Sequence, residues 1–161
     1  MKNWKILDHA AIFIALALIS SFVQAAQEIS PIDERLNKAI SANSAMAMKS
    51  FSNLSGEKFD YSKKSVAWVS GFIDRNRSEP PGNLVDVIGS YLGEAIVHTY
   101  KGKWVTFQNM PAVQLRQNFV VFPFSKVHKQ FENGAEDSIS SFFVAIPALL
   151  ADWEAENASN K

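Results

Sequence analysis

Two histidine–glutamate pairs have residue types and spacings that suit metal binding or proton transfer. Glu94 precedes His98 by four positions, and Glu132 follows His128 by four positions. A spacing of four places each pair on one face of a helix. If the two helices met, two imidazoles and two carboxylates could bind a metal such as zinc. Nothing in the sequence brings these helices together, so we expect separate surface pairs and assign no metal and no cofactor.

Glu94 is also a candidate general acid or base. It lies at the edge of the apolar stripe of its predicted helix, where partial burial would raise the pKa of its carboxyl group. A simpler interpretation is a structural glutamate paired with His98 or with Lys126. A possible polar cluster comprises Glu94, His98, Lys126, His128 and Asp137, without a catalytic role for any member. This cluster would serve the alternative function, a small hydrolase or a metal- or ligand-binding protein using Glu94 and His98.

Ser55 and Lys58 match the Ser-x-x-Lys spacing of penicillin-recognising enzymes, in which the lysine takes the proton of the serine. Gly56 between them is a poor helix residue, and no Lys-Thr-Gly motif follows. We therefore reject this match. The chain also has no nucleophile elbow, no Walker loop and no dinucleotide fingerprint. The sequence leans away from an enzyme and leaves the question open.

Trp68 is the candidate contact for a partner protein. A helical wheel of its predicted helix places it away from the apolar face, and an exposed tryptophan can anchor a partner or stack on a sugar. A buried face that is wider than the wheel suggests would explain it equally well.

The composition limits the class of protein. The chain has 161 residues, 16 basic against 16 acidic residues, 47% hydrophobic residues and no cysteine. That length suits one ordinary domain with a core. A balanced charge argues against a general nucleic-acid partner, which needs a basic surface. The missing cysteine excludes disulfides, thiol catalysis and cysteine-bound metals.

The first 25 residues are typical of a secretory signal peptide. Lys2 and Lys5 precede fourteen uncharged residues, 10–23, and Ala25 offers a small residue at the cleavage position. An uncleaved membrane anchor is the alternative, but a spanning helix needs about 20 apolar residues. Cleavage after Ala25 leaves 136 of the 161 residues, and no later run is long enough to span a membrane. We expect a periplasmic or secreted protein with no stable membrane span.

Hydrophobic spacing predicts about four to five helices in the mature chain. The first runs over 31–48, beginning at Ser30-Pro31, and the second over 62–76. The clearest covers Leu84–Tyr100, with Asn83 as the N-cap and Lys101-Gly102 at the end. A short helix over 125–132 follows the strands. A final helix begins after a cap at Asp137 or Ser138, and Pro147 should kink or restart it.

Between these helices the apolar period changes to two, which predicts three short strands. The first covers 104–108, and Asn109-Met110-Pro111 turns the chain into a strand around 113–115. Gln117-Asn118 turns it again into 119–122. This last strand is apolar on both faces, so something must cover each side. The fold class is α+β, a small antiparallel three-stranded sheet packed with the helices.

The predicted domain organisation has four parts. The signal peptide is 1–25, an N-terminal helical segment is 26–60, the α+β domain is 61–155, and a polar tail is 156–161. The N-terminal helix is rich in serine and alanine and could lie on the domain as a docking segment.

Four short motifs occur in order in the second part of the chain. They are GSYLGE at 89–94, GxW at 102–104, FPFSKV at 122–127 and ENGxEDS at 132–138. This set resembles an uncharacterised bacterial family known as a domain of unknown function, about ninety residues long. The resemblance implies a small α+β domain and a bacterial source, and it implies no activity. Gly89 and Gly93, four apart on one helix, should let another element approach closely.

The sequence thus predicts an exported bacterial protein, most readily a non-enzymatic module that binds another envelope protein. Small exported inhibitors and immunity proteins that neutralise a toxin are the nearest functional comparison. Export, compact size and the missing cofactor motifs are the reasons for this expectation.

Overall fold

The computed structural model describes residues 29–78 and 82–159. The predicted signal peptide 1–25 lies outside the described residues. The elements in chain order are β1 (Ile29–Pro31), α1 (Glu34–Ser55), α2 (Lys63–Arg75), α3 (Leu84–Tyr100), β2 (Lys103–Phe107), β3 (Met110–Arg116), β4 (Phe119–Val121), α4 (Pro123–Asn133), a 3₁₀ helix (Gly134–Asp137) and α5 (Ile139–Ser159). The α+β class is confirmed.

The sheet has four strands among the described residues, in the order β1-β2-β3-β4, and all neighbours are antiparallel. The predicted three-stranded meander corresponds to β2, β3 and β4. The additional strand is β1, and it lies where the sequence predicts the start of a helix. Ile29, Ser30 and Pro31 instead pair with Phe107, Thr106 and Val105. Pro31 fits there because an edge strand leaves one side of its backbone unpaired.

Helix α1 therefore begins three residues later than the prediction. Asp33 is its N-cap, and its Oδ1 accepts hydrogen bonds from the backbone N–H of Arg35 at 3.0 Å and of Leu36 at 3.1 Å. The helix continues to Ser55, beyond the predicted end at 48, and Gly56 closes it with φ 70°. Ile40 and Phe51 on α1 belong to the same hydrophobic core as α3, so this helix is built into the domain.

The turn between β2 and β3 lies at Gln108-Asn109 rather than at Asn109-Met110-Pro111. Both turn residues have positive φ, 50° and 61°, as a two-residue type I′ hairpin requires. Phe107 consequently pairs with Met110, and Pro111 lies inside the ladder opposite Thr106. The predicted turn at Gln117-Asn118 is confirmed, since these residues separate β3 from β4.

Helix α3 occupies the centre of the fold and matches its predicted bounds. Its glycines permit close packing: a Cβ on Gly93 would lie 2.0 Å from the indole of Trp104, and one on Gly89 would lie 2.4 Å from the ring of Phe124. The predicted close approach at these glycines is confirmed. The caps differ from the prediction: Asn83 makes no side-chain capping bond, and Lys101 rather than Gly102 takes the left-handed conformation, with φ 59°.

The C-terminal helices are longer than predicted. Pro123 occupies the first turn of α4, which spans Pro123–Asn133 instead of 125–132. Ser138 is the cap of α5, since its Oγ accepts a hydrogen bond from the backbone N–H of Ser141 at 3.2 Å. Helix α5 continues through Pro147 without a restart, and it includes residues that were assigned to the polar tail.

Across residues 29–78 and 82–159, every helix taken singly falls short of the length and hydropathy of a membrane span. Residues Pro123–Asp137 and Ile139–Ala158 reach that threshold only as a pair, across a 91° bend.

Candidate functional site

The five residues of the predicted polar cluster have different partners. Within the described ranges, the one hydrogen bond or ion pair that joins two of them is the contact between Lys126 and Asp137. Glu94 and His98 lie on the same helix, yet each side chain interacts with a different aromatic residue.

Glu94 holds the indole of Trp104 in place. Its Oε1 accepts a hydrogen bond from Trp104 Nε1 at 2.9 Å, and the carboxylate is half-buried. The indole can reach this position because Gly93 leaves room for it on α3. The ring of Phe124 lies 5.9 Å from that of Trp104. Glu94 therefore has a structural partner, which is neither His98 nor Lys126 as the simpler interpretation supposed.

His98 is exposed and stacks on Tyr61. The ring centroids are 4.6 Å apart, with an angle of 29° between the planes. The Tyr61 hydroxyl in turn lies 3.1 Å from Ser44 Oγ. The imidazole thus covers a contact between α3, α1 and the segment before α2. No feature of this geometry favours a hydrolase that uses Glu94 with His98.

Lys126 and Asp137 form a half-buried ion pair that joins α4 to the 3₁₀ helix. Lys126 Nζ lies 2.7 Å from Asp137 Oδ1, and Asn133 Nδ2 donates to Asp137 Oδ2 at 2.6 Å. The hydrogen bond from Lys126, assisted by that from Asn133, lowers the pKa of Asp137 below its ordinary value. Lys126 Nζ also lies 5.8 Å from the centroid of the Phe142 ring.

His128 and Glu132 form a surface pair on α4. His128 Nε2 lies 3.2 Å from Glu132 Oε1, and both side chains are more than half exposed. In the part of the chain that the structure describes, no three histidine, aspartate or glutamate side chains are grouped closely enough to bind a metal ion.

Trp68 is half-buried in an aromatic cluster. This agrees with the interpretation that the buried face of its helix is wider than the helical wheel suggests. Its ring is nearly parallel to that of Phe72 at 5.8 Å, and the rings of Phe51 and Phe59 lie 5.6 Å and 5.2 Å away. The Arg75 guanidinium lies 5.8 Å from the Trp68 ring centroid. Trp68 also lines an open cavity of about 410 Å³ beside the loop 57–62. The ring is thus packed among these neighbours and remains partly exposed.

A buried polar network centred on Gln130 was missed by the sequence reasoning. Gln130 Nε2 donates to Ser70 O and to Asp74 Oδ1, both at 3.0 Å. Its Oε1 accepts from the backbone N–H of Ile139 at 2.8 Å. Ser70 Oγ lies 3.0 Å from Ser138 Oγ. The network ties α2, α4 and α5 together with all of these polar groups satisfied, which is a structural role.

A signal for Gln130 was present, because it follows Val127 by three positions and therefore lies on the buried face of α4. Arg77 gave no such signal. Its Nε donates to Phe131 O at 3.1 Å and its Nη2 to Glu132 O at 2.6 Å, so it binds free carbonyls at the end of α4 from more than fifty positions away.

Helix α1 carries an uncharged stripe along the edge of its buried side. Residues that repeat every three or four positions form this α1 stripe: Leu36, Ala39, Asn43, Met46, Ser50 and Leu54. Met46 is 48% exposed and Leu54 is 65% exposed, although both are large apolar side chains. The stripe runs along the edge of the buried side of α1, because several of its members lie three or four positions from the buried Ile40, Ala47 and Phe51. The backbone beneath the stripe is therefore held in place.

Comparisons of the chain with protein-family models, with curated proteins and with solved structures find no match. The resemblance to a bacterial domain of unknown function stays a prediction.

Proposed function

We propose that this chain is an exported bacterial protein, periplasmic or secreted after cleavage near Ala25, that binds another envelope protein without catalysing a reaction. It would act as inhibitors and immunity proteins do, by covering a surface of its partner. The α1 stripe is the observation that carries the proposal, because it offers a partner an apolar surface on a rigid helix.

The dimensions of the stripe suit a helical or flat partner surface. From Leu36 to Leu54 the helix rises about 27 Å, at about 1.5 Å per residue. Leu36, Met46 and Leu54 supply the apolar contacts, and the smaller Ala39 and Ser50 between them allow a partner to approach closely. Charged residues that would be costly to bury at the centre of an interface are missing from the stripe.

A photo-crosslinking residue at Met46 tests the proposal in cells that make the full chain. We expect one discrete adduct with an envelope protein, and its loss when Leu54→Asp is added. A crosslinker at the exposed, charged position Lys49 of the same helix is the matched control. An adduct pattern at Met46 identical to that at Lys49, or no adduct at either, would contradict a docking role for the stripe.

The export part of the proposal has its own measurement. Intact mass of the protein from fractionated cells should show loss of the first 25 residues and recovery in the periplasm or medium. A protein that keeps Met1 in the membrane fraction would instead indicate an anchor.

A further inference from the structure

The cavity beside Trp68 is open to solvent and large enough for a small molecule. It lies between the loop 57–62 and the first turns of α2, and its volume is about 410 Å³. Ligand sites in proteins typically measure about 300–1,000 Å³ and combine apolar walls with a few fixed polar groups. This cavity has both kinds of wall, and neither contains a residue of the α1 stripe.

The apolar wall is an aromatic corner. The rings of Phe59 and Trp68 lie 5.2 Å apart at an angle of 84°, and both pack against Phe51 of the core. Phe59 is buried, whereas part of the Trp68 indole stays accessible and lines the cavity. Ala67 precedes Trp68, and its short, exposed side chain leaves the cavity open. A ligand with an apolar face can therefore pack against a surface that the core holds in place.

The polar wall carries charges that are already compensated. Lys64 forms an ion pair with Glu57. Asp60 Oδ1 accepts hydrogen bonds from the backbone N–H of Ser62 at 2.9 Å and from Ser65 Oγ at 2.8 Å. Hydrogen bonds from Ser62, together with that from Ser65, hold the pKa of the Asp60 carboxyl group below its ordinary value, so this group is a carboxylate at neutral pH. A carboxylate can accept about four hydrogen bonds, which leaves Asp60 able to accept more from a ligand.

The loop that carries these groups is fixed before a ligand arrives. The backbone N–H of Phe59 donates to Ser52 Oγ at 2.9 Å, and the buried Tyr91 hydroxyl donates to Asp60 O at 2.8 Å. These two hydrogen bonds tie the loop to α1 and to α3. Little conformational entropy is then lost when a ligand binds, which favours affinity.

We propose that this cavity binds a neutral saccharide. The C–H face of the sugar would pack against Trp68 and Phe59. Its hydroxyl groups would donate to Asp60 and accept from Lys58, an exposed residue that forms no ion pair with the other residues of 29–78 and 82–159. A ligand with a net charge is a poorer occupant, because carboxylates and ammonium groups both line the cavity and one kind would repel it. A hydroxyl group, by contrast, can donate to a carboxylate and accept from an ammonium group. The site does not rest on the proposed function, since the α1 stripe is no part of it.

NMR titration tests this proposal on isotope-labelled protein purified from cells in its native, mass-verified form. The neutral probes are chitotriose, cellotriose and maltotriose, and the charged probes are triglycine and inorganic phosphate. We expect at least one trisaccharide to shift the backbone amide signals of 57–68 and the indole N–H signal of Trp68, with a Kd on the order of 1 mM. Triglycine and phosphate should leave these signals in place at the same concentration.

Substitutions on the two walls make the test specific. Ala67→Tyr should fill the cavity and abolish the saccharide shifts, because Ala67 is exposed and its replacement removes no core contact. Ala45→Tyr, the same change at an exposed position of α1, is the matched control and should bind as wild type does. Asp60→Asn keeps the shape of the side chain and should weaken binding by about tenfold, since a neutral amide replaces a charged acceptor. Circular dichroism melting would verify that each variant is folded.

Several results would overturn the saccharide site. They are the absence of shifts with all three trisaccharides, shifts spread over the rest of the protein, and saccharide binding by Ala67→Tyr that equals that of wild type. A larger response to triglycine or to phosphate would also overturn it, because the cavity would then take a charged ligand. Failure of the α1 crosslink alone would count against the proposed function and not against the saccharide site.

Discussion

Gly93→Ala is the substitution for which the structure gives the clearest expected cost. The added Cβ would lie 2.0 Å and 2.2 Å from two indole carbons of Trp104 and 3.2 Å from Pro123 Cγ. Trp104 is only 9% exposed, so the ring has little room to move. Moving it would also break its 2.9 Å hydrogen bond to Glu94.

Three contributions set the expected change in the free energy of unfolding: two lower it and one raises it. Overpacking a core costs about 1–3 kcal/mol, and loss of a hydrogen bond to a charged group costs about 1.5–3 kcal/mol. Alanine in place of glycine within a helix returns about 1 kcal/mol. We expect a net loss of about 3 kcal/mol in the free energy of unfolding, measured by urea denaturation. The melting temperature should fall by roughly 10 °C for a chain of this size.

Gly71→Ala is the matched control, since it makes the same change in the middle of α2. There the nearest atom to a new Cβ is the flexible Arg75 Nη1, at 3.1 Å. This variant should be more stable than wild type by up to about 1 kcal/mol. In a Trp104→Val background, Gly93→Ala should cost less than about 1 kcal/mol. Equal stability of the two alanine variants, or an undiminished cost in that background, would refute the packing explanation.

Three further substitutions test the polar contacts. Gln130→Leu should lower the free energy of unfolding by about 3 kcal/mol in chemical denaturation, because it leaves the buried backbone N–H of Ile139 without its acceptor and removes the hydrogen bonds to Ser70 and Asp74. A loss below about 1 kcal/mol would mean that the network contributes little. Arg77→Met should cost about 1–2 kcal/mol by removing two bonds to the end of α4, and an unchanged melting temperature would contradict this. Lys126→Met should raise the pKa of Asp137 toward its ordinary 3.8, followed by carboxyl NMR titration. Because the folded-state pKa of Asp137 is lowered, the wild-type pair stabilises the fold above about pH 4, and that contribution is lost as the pH falls through the folded-state pKa. The same Asp137 titration curve in both proteins would exclude an effect of Lys126 on this pKa.

The elements that sequence reasoning predicted well are those whose signals are local. Helix α3 was predicted with its observed bounds because seventeen residues carry a broad apolar stripe between a turn and a glycine. Strand β1 was missed because three residues carry no periodicity, and their partners in β2 lie far along the chain. Pro31 favoured the prediction of a helix start, because proline is common in the first turn of a helix. In this fold Pro31 lies in an edge strand instead.

The predicted site failed for a related reason. A spacing of four correctly placed Glu94 and His98 near each other on α3, but side chains bind what the tertiary fold brings to them. Trp104 reaches Glu94 through the gap above Gly93, and Tyr61 reaches His98 from the segment before α2. Lys126 and Asp137 do meet, because the 3₁₀ helix that follows α4 brings Asp137 back to Lys126, eleven positions earlier in the chain.

The position of β1 has a consequence for when the chain can finish folding. Ser30 pairs with Thr106, so the edge of the sheet closes only after more than seventy further residues are available. Closing so long a loop is slow and depends on the hairpin that follows it. In a chain that is exported as proposed, the segment next to the leader therefore remains extended until the hairpin has emerged on the far side. The order of the strands would thus delay folding during translocation and leave the leader peptidase an unfolded stretch of backbone to cleave.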